Sequence, residues 1–178
     1  MGTGEERGYD IASQLAGKTY ALLTLRRRIV GIRFARTERE YGEMPARDMK
    51  AKVAYCVVVR SAMSGRSLKL SREFSGCNGG SRALGFEAPG PEYTTGERFN
   101  RFGLYQDLET SRQVAACVTL CRRSCHGVMA RPLEDYRDGP PDVVTPAADP
   151  LNAMRVVQGY TCNHGCLSDF RMTGNQGS

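Results

Sequence analysis

Seven cysteines are the residues of this 178-residue chain with the most chemical potential. They form an early pair, a middle triplet with four-residue spacing and a late pair: Cys56 and Cys77; Cys117, Cys121 and Cys125; Cys162 and Cys166. Thiolates ligate zinc and iron–sulfur clusters and act as nucleophiles. Because seven is odd and no secretory signal is evident, we expect free thiols or metal ligands and not a disulfide framework.

The early pair combines two local environments. Cys77 opens the string Cys-Asn-Gly-Gly, which predicts a tight turn whose backbone N–H groups can hydrogen-bond to cluster sulfurs. Cys56 falls inside a predicted helix. The alternative interpretation is a small buried residue at Cys56 and an incidental turn thiol at Cys77.

The middle triplet has helical spacing. On a continuous helix, Cys117, Cys121 and Cys125 would share one face, with ~6 Å of rise between neighbours and ~12 Å between the ends. One metal could then take neighbouring members but not all three, unless the helix ends near Gly127 and Cys125 turns inward. A core stripe is the alternative, and the spacing misses the CxxxCxxC loop of radical S-adenosylmethionine enzymes by one residue.

The late pair has the most ligand-like local sequence. Cys162, His164 and Cys166 place two thiols and an imidazole within five residues, and these can converge on one ion. The other histidine, His126, follows Cys125, so a zinc or iron–sulfur site could form where the middle helix meets the tail. For His164 a surface position is the alternative.

The periodicity predicts an α/β (mixed α+β) fold: a single compact domain over residues 1–178, with a mixed sheet and several short helices. Helices are predicted at 10–25 with a break near Gly17, at 50–63, at 81–86, from an Asp107 cap to about Cys121, and at 151–160 after Asp149-Pro150. Strands are predicted at 26–35, 66–70, 127–136 and 141–147. The remaining assignments are a flexible N-terminus (1–9), a surface loop (88–101) and an open C-terminal tail (168–178).

The formal net charge is +6, and its excess lies in the N-terminal part of the chain. Arg26–Arg28 with Arg33, Arg36 and Arg39 could meet phosphates or an acidic partner, but interspersed glutamates favour a solvated face. No nucleic-acid-binding motif supports binding to DNA or RNA. No stretch approaches the ~20 apolar residues of a membrane span, and no secretory signal is evident, so we expect a cytoplasmic protein.

Four segments together resemble the prokaryotic family known as domain of unknown function 169: residues 55–86, 103–113, 127–160 and 168–177. The resemblance covers most of residues 20–177 and depends on the order and spacing of the segments. It implies that Cys56 and Cys77 are the cysteines typical of the family, which is common in anaerobes and archaea. In relatives the segment like TGNQG continues into further cysteines, so the chain resembles a C-terminally shortened member. If those cysteines complete a metal site in relatives, this chain has lost the site, borrows ligands from another subunit or uses its own extra cysteines.

These observations predict a cytoplasmic metalloprotein with a 4Fe–4S-type cluster, serving redox or cofactor-related chemistry. Cys56 and Cys77 would bind the cluster together with members of the later cysteine sets, in a homo- or hetero-oligomer and with a small-molecule ligand as a further partner. One alternative is a zinc-stabilised, non-catalytic protein-interaction module. Another is a metal-free thiol enzyme that uses Cys77 as its nucleophile. The sequence leaves open whether the chain is an enzyme.

Overall fold

A five-stranded mixed sheet forms the centre of the fold. The computed structural model describes residues 4–118 and 124–165, with side chains from residue 13 onwards. The strands are β1 (Val30–Ala35), β2 (Arg47–Asp48), β3 (Leu68–Ser71), β4 (Gly127–Pro132) and β5 (Val143–Thr145). Their order in the sheet is β2-β3-β4-β1-β5, with β2 parallel to β3 and every other pair antiparallel.

Helices precede, separate and follow these strands. They are α1 (Gly4–Leu23), α2 (Glu38–Glu43), α3 (Tyr55–Met63), α4 (Asn78–Ala83), α5 (Pro91–Thr94), α6 (Glu97–Arg101), α7 (Leu108–Cys117) and α8 (Pro150–His164). Short 3₁₀ turns follow β3 at Arg72–Phe74 and β4 at Leu133–Asp135. The predicted mixed α/β fold is therefore confirmed.

One face of the sheet packs against α3. Alternate strand residues, among them Leu70 and Val128, meet Val58, Val59 and Ala62 of the helix in one apolar core. The spacing 58, 59 and 62 places these three side chains on one side of a helix. The opposite side of α3 is consequently turned to solvent.

The other face of the sheet supports a second core. Met129 of β4 lies there with Ala16 of α1, Tyr41 of α2 and Tyr136. Lys69 also points to this side and is buried; its Nζ donates a hydrogen bond to the Tyr41 carbonyl at 2.9 Å. The sheet is thus covered by helices on both faces.

Side-chain caps mark several helix starts as the sequence predicts. Asp107 accepts a hydrogen bond from the Thr110 N–H, and Asp149 accepts one from the Asn152 N–H. Both predicted caps are confirmed, because an acceptor one residue before the first turn satisfies an otherwise orphaned N–H.

Other predicted boundaries are wrong. Helix α1 begins at Gly4, six residues before the predicted start at residue 10, and continues through the predicted break at Gly17. The predicted surface loop at 88–101 contains helices α5 and α6, held inward by buried Phe99. The single phenylalanine, Phe99, among mostly polar neighbours is too weak a signal to predict such short helices.

Two further corrections concern cysteines. Helix α7 ends at Cys117, where Val118 is extended, so the predicted helix to Cys121 and the single helical stripe of three cysteines are wrong. Helix α8 runs to His164, so Cys162 lies within the helix and not after it.

No helix in the described part of the chain is long and apolar enough to cross a membrane.

Two glycine substitutions, one against the second core and one on the open side of α1, are predicted to change stability in opposite directions. A Cβ at Gly127 would overlap the Tyr41 ring and lie 3.0 Å from the Leu70 carbonyl oxygen, whereas a Cβ at Gly17 would meet nothing within 4 Å. We expect Gly127→Ala to lower the free energy of unfolding by about 2 kcal/mol through overpacking. Gly17→Ala should raise it by about 0.5–1 kcal/mol through helix propensity. Urea denaturation measures both, and a Gly127→Ala variant as stable as wild type would contradict the packing of Tyr41 on β4.

Candidate thiol site

Two chain segments that are far apart in sequence are joined just before α3 and α4 begin. Val53 and Ser75 form a parallel β-bridge. The Val53 N–H donates to the Phe74 carbonyl at 3.0 Å, and the Gly76 N–H donates to the Val53 carbonyl at 2.9 Å. The two helices therefore start side by side.

The bridge brings Cys56 and Cys77 to neighbouring helix starts. Cys56 is the second residue of α3 and is exposed, while Cys77 is the N-cap of α4 and is partly buried. Parallel strands lie about 4.8 Å apart, and each chain continues only two or three residues from the bridge to its cysteine. The two cysteines therefore lie at adjacent helix starts.

The Cys77 sulfur is held by the backbone of its own turn. Its Sγ accepts a hydrogen bond from the Gly80 N–H at 3.4 Å, the interaction that a serine or aspartate makes at other helix starts. A Cβ at Gly80 would lie 3.4 Å from the Tyr55 Cβ and 3.7 Å from the Cys77 Sγ. The Cys77 thiol thus lies against the first turn of α3.

Gly76 sets how closely the two segments approach. A Cβ there would lie 3.1 Å from the Val53 N and 3.2 Å from the Lys52 carbonyl carbon, and neither backbone atom can move independently. A side chain at residue 76 would therefore push the two helix starts apart.

Tyr55, the first residue of α3, packs against the core on this face of the sheet and lies next to Gly80. Burial raises the pKa of its phenol to about 12, because the ionised form would lose its hydration. The phenol directly before Cys56 is therefore shielded from water.

Cys125 occupies a different environment. It is fully buried in the core, and its thiol lies 3.1 Å from the Ala35 carbonyl oxygen and 3.0 Å from the Gly127 carbonyl oxygen. A thiol near two acceptors is best satisfied with its proton in place. This geometry favours a role in packing the start of β4.

The remaining described cysteines lie apart from the pair. Cys117 ends α7 and Cys162 lies in the last two turns of α8; both are exposed. The two histidines contact tyrosines instead of forming a cluster: His126 packs against Tyr41 at 5.5 Å and His164 against Tyr160 at 4.7 Å between ring centroids. Cys121 and Cys166 lie outside the described residues.

Within residues 4–118 and 124–165, no group of three or more His, Cys, Asp or Glu is placed to hold a metal ion. The described structure therefore places Cys56 and Cys77 at adjacent helix starts and adds no third ligand to them.

A family model for domain of unknown function 169, described as uncharacterised ArCR, matches residues 19–178. The chain belongs to the domain of unknown function 169 family. No curated protein and no solved structure matches it.

For this family member, sequence reasoning identified both cysteines of the site but missed Gly76 and Tyr55. Neither residue type stands out in the sequence, because their roles depend on the bridge between residues 53 and 75. The available signal was the turn sequence at Cys77 alone, because Cys56 was predicted inside a longer helix and its position at the start of α3 depends on the bridge.

The Tyr55 phenol makes the free energy of unfolding depend measurably on pH. An unfolded tyrosine loses its proton near pH 10, whereas Tyr55 in the folded protein keeps it until about pH 12. Between these values the unfolded chain binds fewer protons, so stability falls as pH rises, by up to about 1.4 kcal/mol per pH unit for this group. Tyr55→Phe should remove that contribution. Urea unfolding at pH 9 to 11.5 measures it, and identical slopes for variant and wild type would show that Tyr55 is not shielded.

Proposed function

We propose that this protein binds an iron–sulfur cluster through the thiolates of Cys56 and Cys77. The observation that carries the proposal is the Val53–Ser75 bridge, which starts α3 and α4 side by side and presents one thiol from each. Two thiolates on adjacent helix starts suit a cluster, whose iron atoms are spread over a few ångströms, as well as a single ion.

The pair supplies half of a typical ligand set. Iron–sulfur clusters are commonly held by four cysteine thiolates. The other two would come from Cys121 and Cys166 of the same chain or from the same pair in a second copy. The exposure of Cys56 supports ligation shared between copies, because an exposed thiol can be reached from outside.

When bound, such a cluster supplies one-electron chemistry. The chain's own residues would adjust the site in two ways. The Gly80 N–H already points at the Cys77 sulfur, and hydrogen bonds to cluster sulfurs tune the reduction potential. The buried Tyr55, directly before Cys56, would limit water at the start of α3. Both effects support redox or cofactor-related chemistry as the broader role.

Serine substitutions test the ligands directly. Protein produced and purified without oxygen should contain iron and sulfide and absorb broadly in the visible blue. We expect Cys56→Ser and Cys77→Ser each to lose more than about half of the iron, since a hydroxyl is a poor substitute for a thiolate. Cys162 is an exposed cysteine on α8, so Cys162→Ser is the matched control and should keep its iron. Serine at position 77 can still accept the Gly80 N–H, so α4 keeps its cap.

Three results would contradict the proposal. A colourless protein with stoichiometric zinc would indicate the structural zinc module instead. A metal-free protein in which Cys77 alone is rapidly alkylated would indicate a thiol enzyme. Equal iron loss in the Cys162→Ser control would show that the early pair is not the specific ligand pair.

The spacing of the two thiols can be tested while both are kept. Gly76→Ala should separate the helix starts and lower iron content, because its Cβ would press on the backbone of residues 52 and 53. Gly90→Ala, where a Cβ would meet nothing within 4 Å, is the matched control. Iron per chain and circular dichroism are measured together. A folded Gly76→Ala variant with full iron content would show that this spacing does not matter for binding.

A further inference from the structure

A basic groove lies on the solvent side of α3. Its walls carry the side chains of three arginines and several smaller groups, among them Arg27, Arg60, Arg66, Ser61, Val57 and Met63. The groove encloses about 540 Å³. This volume is within the ~300–1,000 Å³ typical of small-molecule sites.

The three arginines come from two separate parts of the chain. Arg27 lies between α1 and β1, Arg60 is in the last turn of α3, and Arg66 follows that helix. The Arg28 N–H donates to the Met63 carbonyl at 3.2 Å, which fastens the segment carrying Arg27 to the end of α3. The convergence is therefore a product of the fold and not of one local run of basic residues.

The basic residues on the flank of the groove and inside it differ in whether they form ion pairs. Arg28, on its flank, pairs with Glu134 at 3.1 Å, and Arg33 pairs with Asp138 at 2.6 Å. Within the described parts of the chain, Arg27, Arg60 and Arg66 form no ion pair, and no carboxylate lines the groove. The C-terminus of α3 contributes a partial negative charge of only about half a unit. A net positive groove remains.

We infer that this groove binds a small molecule that carries phosphate groups. Guanidinium groups present paired N–H donors that match phosphate oxygens, and three of them from different directions can clamp a polyphosphate. Val57, 43% exposed, and Met63 provide an apolar wall for an organic part of the same molecule. A hydroxyl at Ser61 adds a neutral donor.

The groove adjoins the thiol site but does not depend on it. Arg60 lies four residues after Cys56, so the two side chains project from the same side of α3, one turn apart. A ligand in the groove would lie next to the exposed thiol. The inference goes beyond the proposed cluster and stands or falls separately from it.

Calorimetric titration tests the site with two probes, tripolyphosphate and ATP, at about 50 mM salt to limit screening. We expect both to bind wild type, and Arg60→Gln and Arg66→Gln each to weaken binding about tenfold through loss of charge-assisted hydrogen bonds. Arg39→Gln is the matched control, since Arg39 is exposed on α2, pairs with Glu43 and changes the net charge equally. It should bind as wild type does.

The comparison of probes identifies the source of the phosphate. Tighter binding of ATP supports an organic phosphate that uses the apolar wall, and equal affinities support inorganic polyphosphate. Absence of binding at about 5 mM probe, where an arginine clamp should be occupied, would overturn the inference. Equal weakening of binding by Arg39→Gln would also overturn it. A third contrary result would be a short single-stranded DNA that binds more tightly than ATP and whose binding is weakened equally by all three substitutions.

The double variant Cys56→Ser/Cys77→Ser separates this inference from the proposed cluster. It should lack iron yet bind tripolyphosphate as wild type does, whereas Arg60→Gln should keep its iron. Loss of tripolyphosphate binding in the cysteine variant would overturn the independence of the groove.

Discussion

The fold depends on the complete burial of β4 between two layers. Every residue of this strand is buried, and its two neighbours, β1 and β3, pair with it on either side. Alternation then sends Val128 into the core beneath α3 and Met129 into the core beneath α1 and α2. Helix α3 is fixed by this contact, and with it the position of its first turn, where Cys56 lies.

The second core tolerates two buried cations because each has specific partners. Burying a charge is costly unless it is paired and hydrogen-bonded. Lys69 donates to the Tyr41 carbonyl, lies 4.7 Å from the centroid of that ring and is 3.8 Å from Asp48. Arg131 pairs with Asp138 and lies 4.1 Å from the Tyr136 ring centroid, and burial lowers its pKa. These contacts hold α2 and the segment after β4 onto the sheet, so the cations specify which elements cover this face.

Features that depend on near neighbours in the chain could be predicted from the sequence. The caps at Asp107 and Asp149 and the apolar run of β4 are of this kind, and they gave the fold class and most elements. The end of α7 could not be predicted, since no glycine or proline follows Cys117 and only the β-branched Val118 favours extended backbone. The Val53–Ser75 bridge joins residues 22 positions apart through a few hydrogen bonds, which leaves no periodic pattern. The two cysteines of the candidate site could therefore be predicted from their residue type, whereas Gly76, Tyr55 and the arrangement of all four residues could not.

One side of helix α3 packs in the core, and the other side carries the residues of the proposed chemistry. Val58, Val59 and Ala62 anchor one side to the sheet, while Val57 and Arg60 project to solvent and contribute little to the core. Side chains held on a rigid, well-packed helix are presented in a fixed arrangement without costing the core any contacts. The exposed side of α3 is consequently a part of the molecule where folding places few demands on residue choice, and Cys56 and Arg60 lie one turn apart on it.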